Sequence, residues 1–335
     1  MELNSRVSRA RARDLAGSMQ QHGPTDIKEV MDWPVFAFAS LQASEHLLPP
    51  HALARLHMFL EEGVSTSSAY SGMGGDIVGC QLMFREAQRV GCVSQQAVGF
   101  HWQHAGDVDE VCRSVLKSFE PKWAPRHITT DLADRIPAGL LDELDKNAPK
   151  RDGDPKDFDR RYGAMRDSFK DWKAAGKDIF GAGTKCWCVQ HNDWCEIYKP
   201  AVSCKLSLGW AGTTCLDICR PGKRFGHHGP HSKTFRIWLE ERRCRREHIY
   251  IQESTQDFCT ADIDCELGDL FDVFGVLLGP EDFGWWSSRP RHFCIMILKE
   301  HGVLAVDNFS SFEQMFARCR SGLSHKGHMF WCAKL

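Results

Sequence analysis

The sequence contains no apolar run long enough to cross a bilayer. A membrane-spanning helix needs about 20 predominantly apolar residues. The richest stretch, residues 267–278, is interrupted by Asp269, Asp272 and Gly275. We therefore expect no membrane-inserted segment.

An excess of charge of one sign is also missing. The 335 residues include 42 Lys and Arg against 44 Asp and Glu, which gives a formal net charge of -2. This balance exerts no overall attraction on phosphate backbones, so nucleic-acid binding would need a local basic surface. Residues 223–246 hold a local excess of lysine and arginine that could provide one, although residues 240–247 are better explained as a solvated helix face.

No apolar core of a secretory signal lies near the first residue of the sequence. The 15 cysteines are therefore expected to be reduced thiols in an intracellular compartment. Arginine and serine in residues 6–13 leave an organelle transit peptide open as an alternative to the nucleus.

From residue 63 onward, short β-prone runs alternate with helical ones. This alternation is typical of βαβ units, so the predicted fold class is α/β and Rossmann-like, with a mostly parallel sheet. Two final β-prone runs, residues 270–277 and 292–298, should form an antiparallel hairpin. We divide the chain into an N-terminal extension with a helix near 50–62 (1–62), a main domain with a charged, exposed insertion at about 140–200 (63–300), and a C-terminal remnant (301–335).

A glycine-rich turn, Ser71-Gly-Met-Gly-Gly75, follows the first predicted strand and precedes a helix. Glycine lets the backbone approach a ligand closely, and a helix N-terminus offers unpaired N–H groups. Asp107 and Asp109 come about one βα unit later, where a carboxylate can accept hydrogen bonds from a ribose. A helix N-cap is an equally good interpretation of Asp109.

The order of these elements resembles that of the C5 cytosine methyltransferase family, from about residue 66 to residue 298. The glycine-rich turn is similar to the family's first motif, Phe-x-Gly-x-Gly-Gly, and Asp107-Val-Asp109 is similar to its acidic pair. Asp131 follows the third predicted strand, where the family has an aspartate facing the adenine. The resemblance implies the methyltransferase fold, S-adenosylmethionine as cofactor, and cofactor contacts from Ser71, Gly72, Gly74, Gly75, Asp107, Asp109 and Asp131.

Three further motifs carry the chemistry that this resemblance implies. Residues 212–223 approximate the family's Gly-Pro-Pro-Cys-Gln motif and put Cys215 in the place of the nucleophile. Glu253 takes the place of the acid, and Arg289 and Arg291 match the arginines of a Gln-x-Arg-x-Arg loop. In this chemistry a thiolate adds to C6 of cytosine, an acid protonates or hydrogen-bonds N3, an arginine holds O2, and C5 accepts the methyl group. A base in duplex DNA must first leave the stack.

Each of these side chains also has a structural interpretation. A cysteine is usually a small buried hydrophobe, Glu253 could cap a turn, and the arginines could be surface charges. DNA is the implied partner, and RNA stays open because one branch of the family modifies transfer RNA. The alternative function is a catalytically inactive binding or scaffold protein, since Thr213 and Thr214 replace the family's prolines and no target-recognition region follows.

The insertion holds a second group of ligand-type side chains: Cys186, Cys188, His191 and Cys195, with Cys204 beyond. Thiolates and an imidazole at this density could bind Zn²⁺, but the spacing is not a paired Cys-x₂-Cys arrangement. Buried reduced cysteines are the other interpretation. We therefore assign no metal ligands from the pattern alone.

Overall fold

Strands and helices alternate along the chain, as the sequence predicts. The computed structural model describes residues 32–35, 37, 51–181, 183–199, 204–214, 216–218, 225–283, 285 and 287–301. Within them the strands are β1 (Val64–Ala69), β2 (Phe100–Gly106), β3 (His127–Thr129), β4 (Lys185–Cys188), β5 (Asp193–Glu196), β6 (Leu206–Gly212), β7 (Ile249–Thr255), β8 (Phe271–Leu278) and β9 (Arg291–Leu298). The helices are α1 (Ala52–Glu62), α2 (Gly75–Arg89), α3 (Glu110–Lys117), α4 (Ala138–Asn147), α5 (Phe158–Ala174), α6 (Ser232–Arg245) and α7 (Thr260–Leu267). No helix in these ranges combines the length and apolarity needed to span a bilayer.

Seven strands form one sheet in the order β3-β2-β1-β6-β7-β9-β8. β9 is antiparallel to both of its neighbours, and the other adjacent pairs are parallel. The order reverses beside β1, because β2 and β3 extend to one side of it and β6 and β7 to the other. In such sheets ligands bind outside the carboxyl ends of the strands at this reversal. The predicted α/β, Rossmann-like class with an antiparallel C-terminal strand is confirmed.

The central strand β1 consists mainly of small polar residues that are nevertheless buried. Thr66 Oγ1 donates to the carbonyl oxygen of His101 at 2.9 Å, and Ser68 Oγ donates to the Asp76 carboxylate at 2.6 Å. Buried polar groups need hydrogen-bond partners, and these two hydroxyls find them on neighbouring elements. The bonds therefore fix β1 to β2 and to the first turn of α2.

One helix of the insertion packs into the protein. α5 buries Phe158, Tyr162, Met165 and Phe169, whose spacing of four, three and four residues places them on one helical face. Three of them share a hydrophobic cluster with Trp238 of α6. The prediction of an exposed insertion is wrong for this face, because its apolar residues complete the core.

The charged residues of α6 are also buried. Glu240, Glu241 and Arg242 expose only 4%, 0% and 1% of their surface. Arg135 Nη1 lies 2.9 Å and Arg242 Nη2 2.7 Å from the Glu241 carboxylate. Burial would raise the pKa of Glu241, but the two guanidinium groups outweigh burial and hold this pKa at about 2. The solvated helix face predicted for residues 240–247 is therefore wrong for Glu240, Glu241 and Arg242, because charge pairing allows these groups to be buried, whereas residues 243–247 are partly or fully exposed.

Candidate active site

The glycine-rich turn joins the carboxyl end of β1 to the first turn of α2. Ser71 N donates to the carbonyl oxygen of Gly106 at 2.9 Å, and Gly106 N donates to Ser71 Oγ at 3.0 Å. Gly72 and Gly74 have φ angles of 52° and 76°, in the left-handed region that favours glycine. The turn is thus held against the end of β2, at the reversal where ligands bind in this class of sheet.

The two left-handed glycines have different surroundings. A Cβ atom at Gly74 would lie 2.9 Å from the Phe119 ring and 3.1 Å from Leu116, so no side chain fits there. A Cβ atom at Gly72 would meet nothing within 4 Å, and the same is true of Gly75. Packing therefore explains Gly74, whereas Gly72 and Gly75 leave the backbone open to a ligand.

Asp107 connects the loops that follow β1 and β2. Its Oδ2 accepts a hydrogen bond from Gly72 N at 2.8 Å, and its Oδ1 accepts one from Asp109 N at 2.9 Å. Each carboxylate oxygen has a further lone pair, so Asp107 can still accept from a hydroxyl group. The contact with Gly72 places this carboxylate beside the glycine-rich turn.

The other two predicted acidic contacts cap helices. Asp109 Oδ1 accepts from Val111 N at 2.7 Å and is the N-cap of α3, which agrees with the structural interpretation of this residue. Asp131 Oδ1 accepts from Ala133 N at 2.9 Å and begins a short 3₁₀ turn after β3. Both follow the carboxyl ends of parallel strands, so a role towards a ligand stays a prediction beside the capping role.

A cavity of about 730 Å³ lies beside the turn. Its lining includes Ser71, Gly72 and Gly75 from the turn, Glu253 from β7, and apolar side chains such as Trp210 of β6. The predicted site residues that do not line it are Gly74, Asp107, Asp109, Asp131, Arg289 and Arg291. The cavity therefore brings the glycine-rich turn and the predicted acid together, although they are far apart in the sequence.

Asp76 lines the same cavity and was not predicted as a site residue. It receives the hydrogen bond from Ser68, which also lines the cavity. Burial raises the pKa of Asp76, and the bond from Ser68 opposes this rise. The sequence signal was weak, because an acidic residue in the first turn of a helix is common wherever it favours the helix dipole.

Glu253 forms an ion pair with Arg291 across β7 and β9. Arg291 Nε lies 2.6 Å from Glu253 Oε1. Burial raises the pKa of Glu253, while the charges of Arg291 and Arg289 oppose the rise without cancelling it. Glu253 and Arg291 are therefore in contact, and their arrangement leaves a carboxyl group that takes up a proton more readily than an exposed glutamate.

Thr213, one of the two threonines that stand where the resembled family has prolines, is hydrogen-bonded to β7. Gln252 Nε2 donates to Thr213 Oγ1 at 2.6 Å, and Thr213 N donates to the carbonyl oxygen of Glu253 at 3.1 Å. A proline at position 213 could make neither bond, since it has no N–H and no hydroxyl. Hydrogen bonds to β7 thus restrain the chain at the position where the family has a rigid proline.

Cys215 lies outside the described residues, but the chain on both sides of it is anchored. Thr213 is held to β7 as described above. Asp217 accepts hydrogen bonds at its Oδ2 from His231 N at 2.7 Å, and its Oδ1 lies 2.9 Å from His231 Nδ1. These contacts tie the segment after Cys215 to the start of α6.

Two basic residues of the stretch 223–246, Lys233 and Arg236, are held in ion pairs. Arg236 is buried between Glu240 and Glu266, at 2.5 and 2.7 Å. Lys233 lies 2.5 Å from Asp145, and Lys223 and Arg224 lie outside the described residues. The proposed phosphate-binding role is therefore wrong for Arg236, because its guanidinium group is sequestered in ion pairs.

Comparisons with known proteins give likenesses to solved structures alone. No protein-family model matches the sequence, and no curated protein gives a significant match. A putative DNA modification methyltransferase encoded within a prophage (E. coli) aligns at 12% identity and a TM-score of 0.37, over 71% of this chain and 47% of its own length. The S. pombe Dnmt2 methyltransferase aligns at 15% identity and a TM-score of 0.37, over 79% and 57%. A Spodoptera frugiperda DNMT2 mutant aligns at 12% identity and a TM-score of 0.32, over 71% and 51%.

These three structures are methyltransferases by description, and this chain spans about half the length of each of them. At such low identity the fold assignment rests on the strand order of this chain itself.

Proposed function

We propose that this chain binds S-adenosylmethionine beside the glycine-rich turn and transfers its methyl group to C5 of cytosine in DNA. One observation carries the proposal most: the glycine-rich turn and Glu253, which is paired with Arg291, border the same cavity. The order of the sequence motifs supports methyl transfer to cytosine as the reaction. The reversal of strand order beside β1 supports this edge of the sheet as the location of the cofactor site.

The residues present fit such a cofactor. The cavity volume of about 730 Å³ lies within the usual range of ligand pockets, about 300–1,000 Å³. Gly72 and Gly75 leave room at the backbone, and Asp107 beside them has free acceptor capacity for ribose hydroxyls. Asp76 offers a carboxylate inside the cavity for the amino group of the methionine part. When bound, the cofactor supplies a methyl group that its sulfonium centre makes reactive.

Glu253 and Arg291 act on the target base. The raised pKa of Glu253 makes its protonation easier than that of an exposed glutamate, and the protonated carboxyl can donate to N3 of cytosine. Arg291 offers further N–H donors towards O2, where negative charge develops as C6 is attacked. Both groups therefore stabilise the negative charge that develops on N3 and O2 when the nucleophile attacks C6.

Cys215 supplies the nucleophile in this proposal. Its thiolate adds to C6, which makes C5 electron-rich enough to accept a methyl group. Loss of the C5 proton to water then breaks the C6–S bond, which restores the ring and the thiolate. The bonds of Thr213 to Gln252 and Glu253 fix the chain two residues before this thiol, relative to the strand that carries the acid. Positioning matters here, because a misplacement of about 1 Å can cost roughly 10²-fold in rate.

The second candidate function is a binding protein without catalysis. One observation favours it: Glu253 is already engaged by Arg291 at 2.6 Å, and neither arginine lines the cavity. In that case the cofactor or an analogue would bind and no methyl transfer would follow.

Calorimetry with S-adenosylmethionine, combined with transfer of tritiated methyl groups to cytosine-containing DNA and RNA, separates the two. We expect binding and transfer, with transfer lost in Cys215→Ser and kept in the control Cys265→Ser, whose thiol is exposed on α7. Binding without transfer would favour the non-catalytic protein. Absence of binding would refute both functions.

A further inference from the structure

Four potential zinc ligands converge at the edge of the sheet opposite to β8. His127, Cys188, His191 and Cys195 each bring one ligand atom to within 4.8 Å of the others. His127 begins the edge strand β3, Cys188 ends β4, His191 lies in the turn of the hairpin, and Cys195 lies in β5. The group is separate from the proposed methyltransferase site, since none of the four lines its cavity.

The distances match the edges of a tetrahedral zinc site. His191 Nδ1 lies 3.5 Å from Cys188 Sγ and 3.4 Å from Cys195 Sγ. Zinc bonds of about 2.3 Å to sulfur and about 2.0–2.1 Å to nitrogen, at tetrahedral angles, put S and N about 3.5 Å apart. One metal ion could therefore bind all three atoms with little movement of the turn.

The fourth ligand comes from the edge strand. The His127 and His191 rings have their centroids 5.1 Å apart. His127 is buried, and its Nδ1 has no hydrogen-bond partner among the described residues. Buried ring nitrogens are normally satisfied, so an imidazole with an unpaired buried nitrogen beside three further ligand atoms fits a metal ligand.

The structure also shows which cysteine of the insertion does not belong to the set. Cys186 pairs directly with Cys195 across the hairpin and shares its face, yet it lies in the hydrophobic cluster with Trp238. Its Sγ contacts the carbonyl oxygen of Trp187 at 3.7 Å. Cys186 therefore lies outside the converging group, whereas His127 belongs to it although it lies some sixty positions before the hairpin in the chain.

We propose that His127, Cys188, His191 and Cys195 bind one Zn²⁺ ion that fastens the β4–β5 hairpin to strand β3. Two thiolates balance the charge of the ion, and the two imidazoles bind as neutral ligands. Four protein ligands leave no open coordination position, so the site is structural. The bond from Val189 N to the carbonyl oxygen of Ile128, at 2.8 Å, already joins the hairpin to β3 at this point.

Metal analysis of the full chain, purified in reductant without a metal-affinity tag, tests the assignment. We expect about one zinc per chain, and after exchange for Co²⁺ a thiolate charge-transfer band with the intense visible bands of tetrahedral cobalt. His191→Ala should lose the metal. Because the His191 side chain is exposed, this substitution should disturb the fold less than substitution of the other three ligands. Cys186→Ala is the matched control on the same hairpin and should keep the metal.

Two further variants keep the test decisive if a ligand substitution disturbs folding. His191→Cys should retain cobalt with a stronger charge-transfer band, because it replaces an imidazole by a third thiolate. His127→Ala should lose the metal although it lies outside the hairpin. The proposal is overturned if the wild-type chain takes up neither zinc nor cobalt, or if Cys186→Ala loses the metal while His127→Ala keeps it.

Discussion

Replacing Gly72 or Gly74 by alanine separates a ligand-facing glycine from a packing glycine. Both residues have left-handed backbones, which cost an alanine about 1–2 kcal/mol. At Gly74 the new methyl group would also lie 2.9 Å from Phe119, and overpacking of this kind costs about 1–3 kcal/mol more. We therefore expect a loss of unfolding free energy of about 2–5 kcal/mol for Gly74→Ala and about 1–2 kcal/mol for Gly72→Ala.

Cofactor binding should follow the opposite order. Gly72 lines the cavity and has open space beside it, so a methyl group there occupies room that a ligand needs. Gly72→Ala should weaken S-adenosylmethionine binding by about tenfold or more, equivalent to about 1.4 kcal/mol. Correctly folded Gly74→Ala should bind with a smaller loss.

Urea unfolding gives the first comparison and titration calorimetry the second. The reasoning would be refuted if Gly72→Ala were as destabilised as Gly74→Ala, because the packing difference would then have no energetic effect. Unchanged cofactor affinity in Gly72→Ala would contradict the placement of the ligand beside this turn.

Two further predictions concern titratable groups. Glu241 has a pKa of about 2, below its ordinary value of 4.5, so it stabilises the fold above pH 4.5 and this stability is lost as the pH falls towards 2. Glu241→Gln should lower the free energy of unfolding by about 3–5 kcal/mol at pH 7, because Arg135 and Arg242 are left buried without a counter-charge. The variant should also lose less stability than the wild type as the pH falls. Equal pH dependence of unfolding in the wild type and the variant would count against these ion pairs. Arg291→Gln removes a charge that lowers the pKa of Glu253, so the pH above which methyl transfer declines should move upward in a pH–rate profile, and an unmoved limb would exclude Glu253 as the proton donor.

The sequence predicted those strands and helices in which the local pattern of apolar and polar residues matches their burial in the fold. The alternation of β-prone and helical runs gave the parallel sheet, and the glycine-rich turn lies at the end of β1 as expected. Strand β2 runs over Phe100–Gly106 and includes His104, a polar residue that the fold buries. Local composition does not reveal such burial.

The misses in the candidate sites have the same origin. The charged run of α6 was expected to face solvent, and its partner Arg135 lies about a hundred residues earlier. Thr213 stands where the resembled family has a proline, and its hydrogen bond to Gln252 is a contact that no motif comparison could show. Long-range pairing of this kind depends on which residues of neighbouring strands lie side by side. The sequence pattern predicted a mostly parallel sheet but not this register.

Trapping of a covalent adduct tests the proposed chemistry most directly. An oligonucleotide with 5-fluorocytosine blocks the loss of the C5 substituent that would release the thiol, so intact-mass analysis in the presence of S-adenosylmethionine should show one oligonucleotide attached per chain. The adduct should vanish in Cys215→Ser and persist in Cys265→Ser. A chain that binds the cofactor and the oligonucleotide yet forms no adduct, or one that forms it equally in Cys215→Ser, would contradict the account.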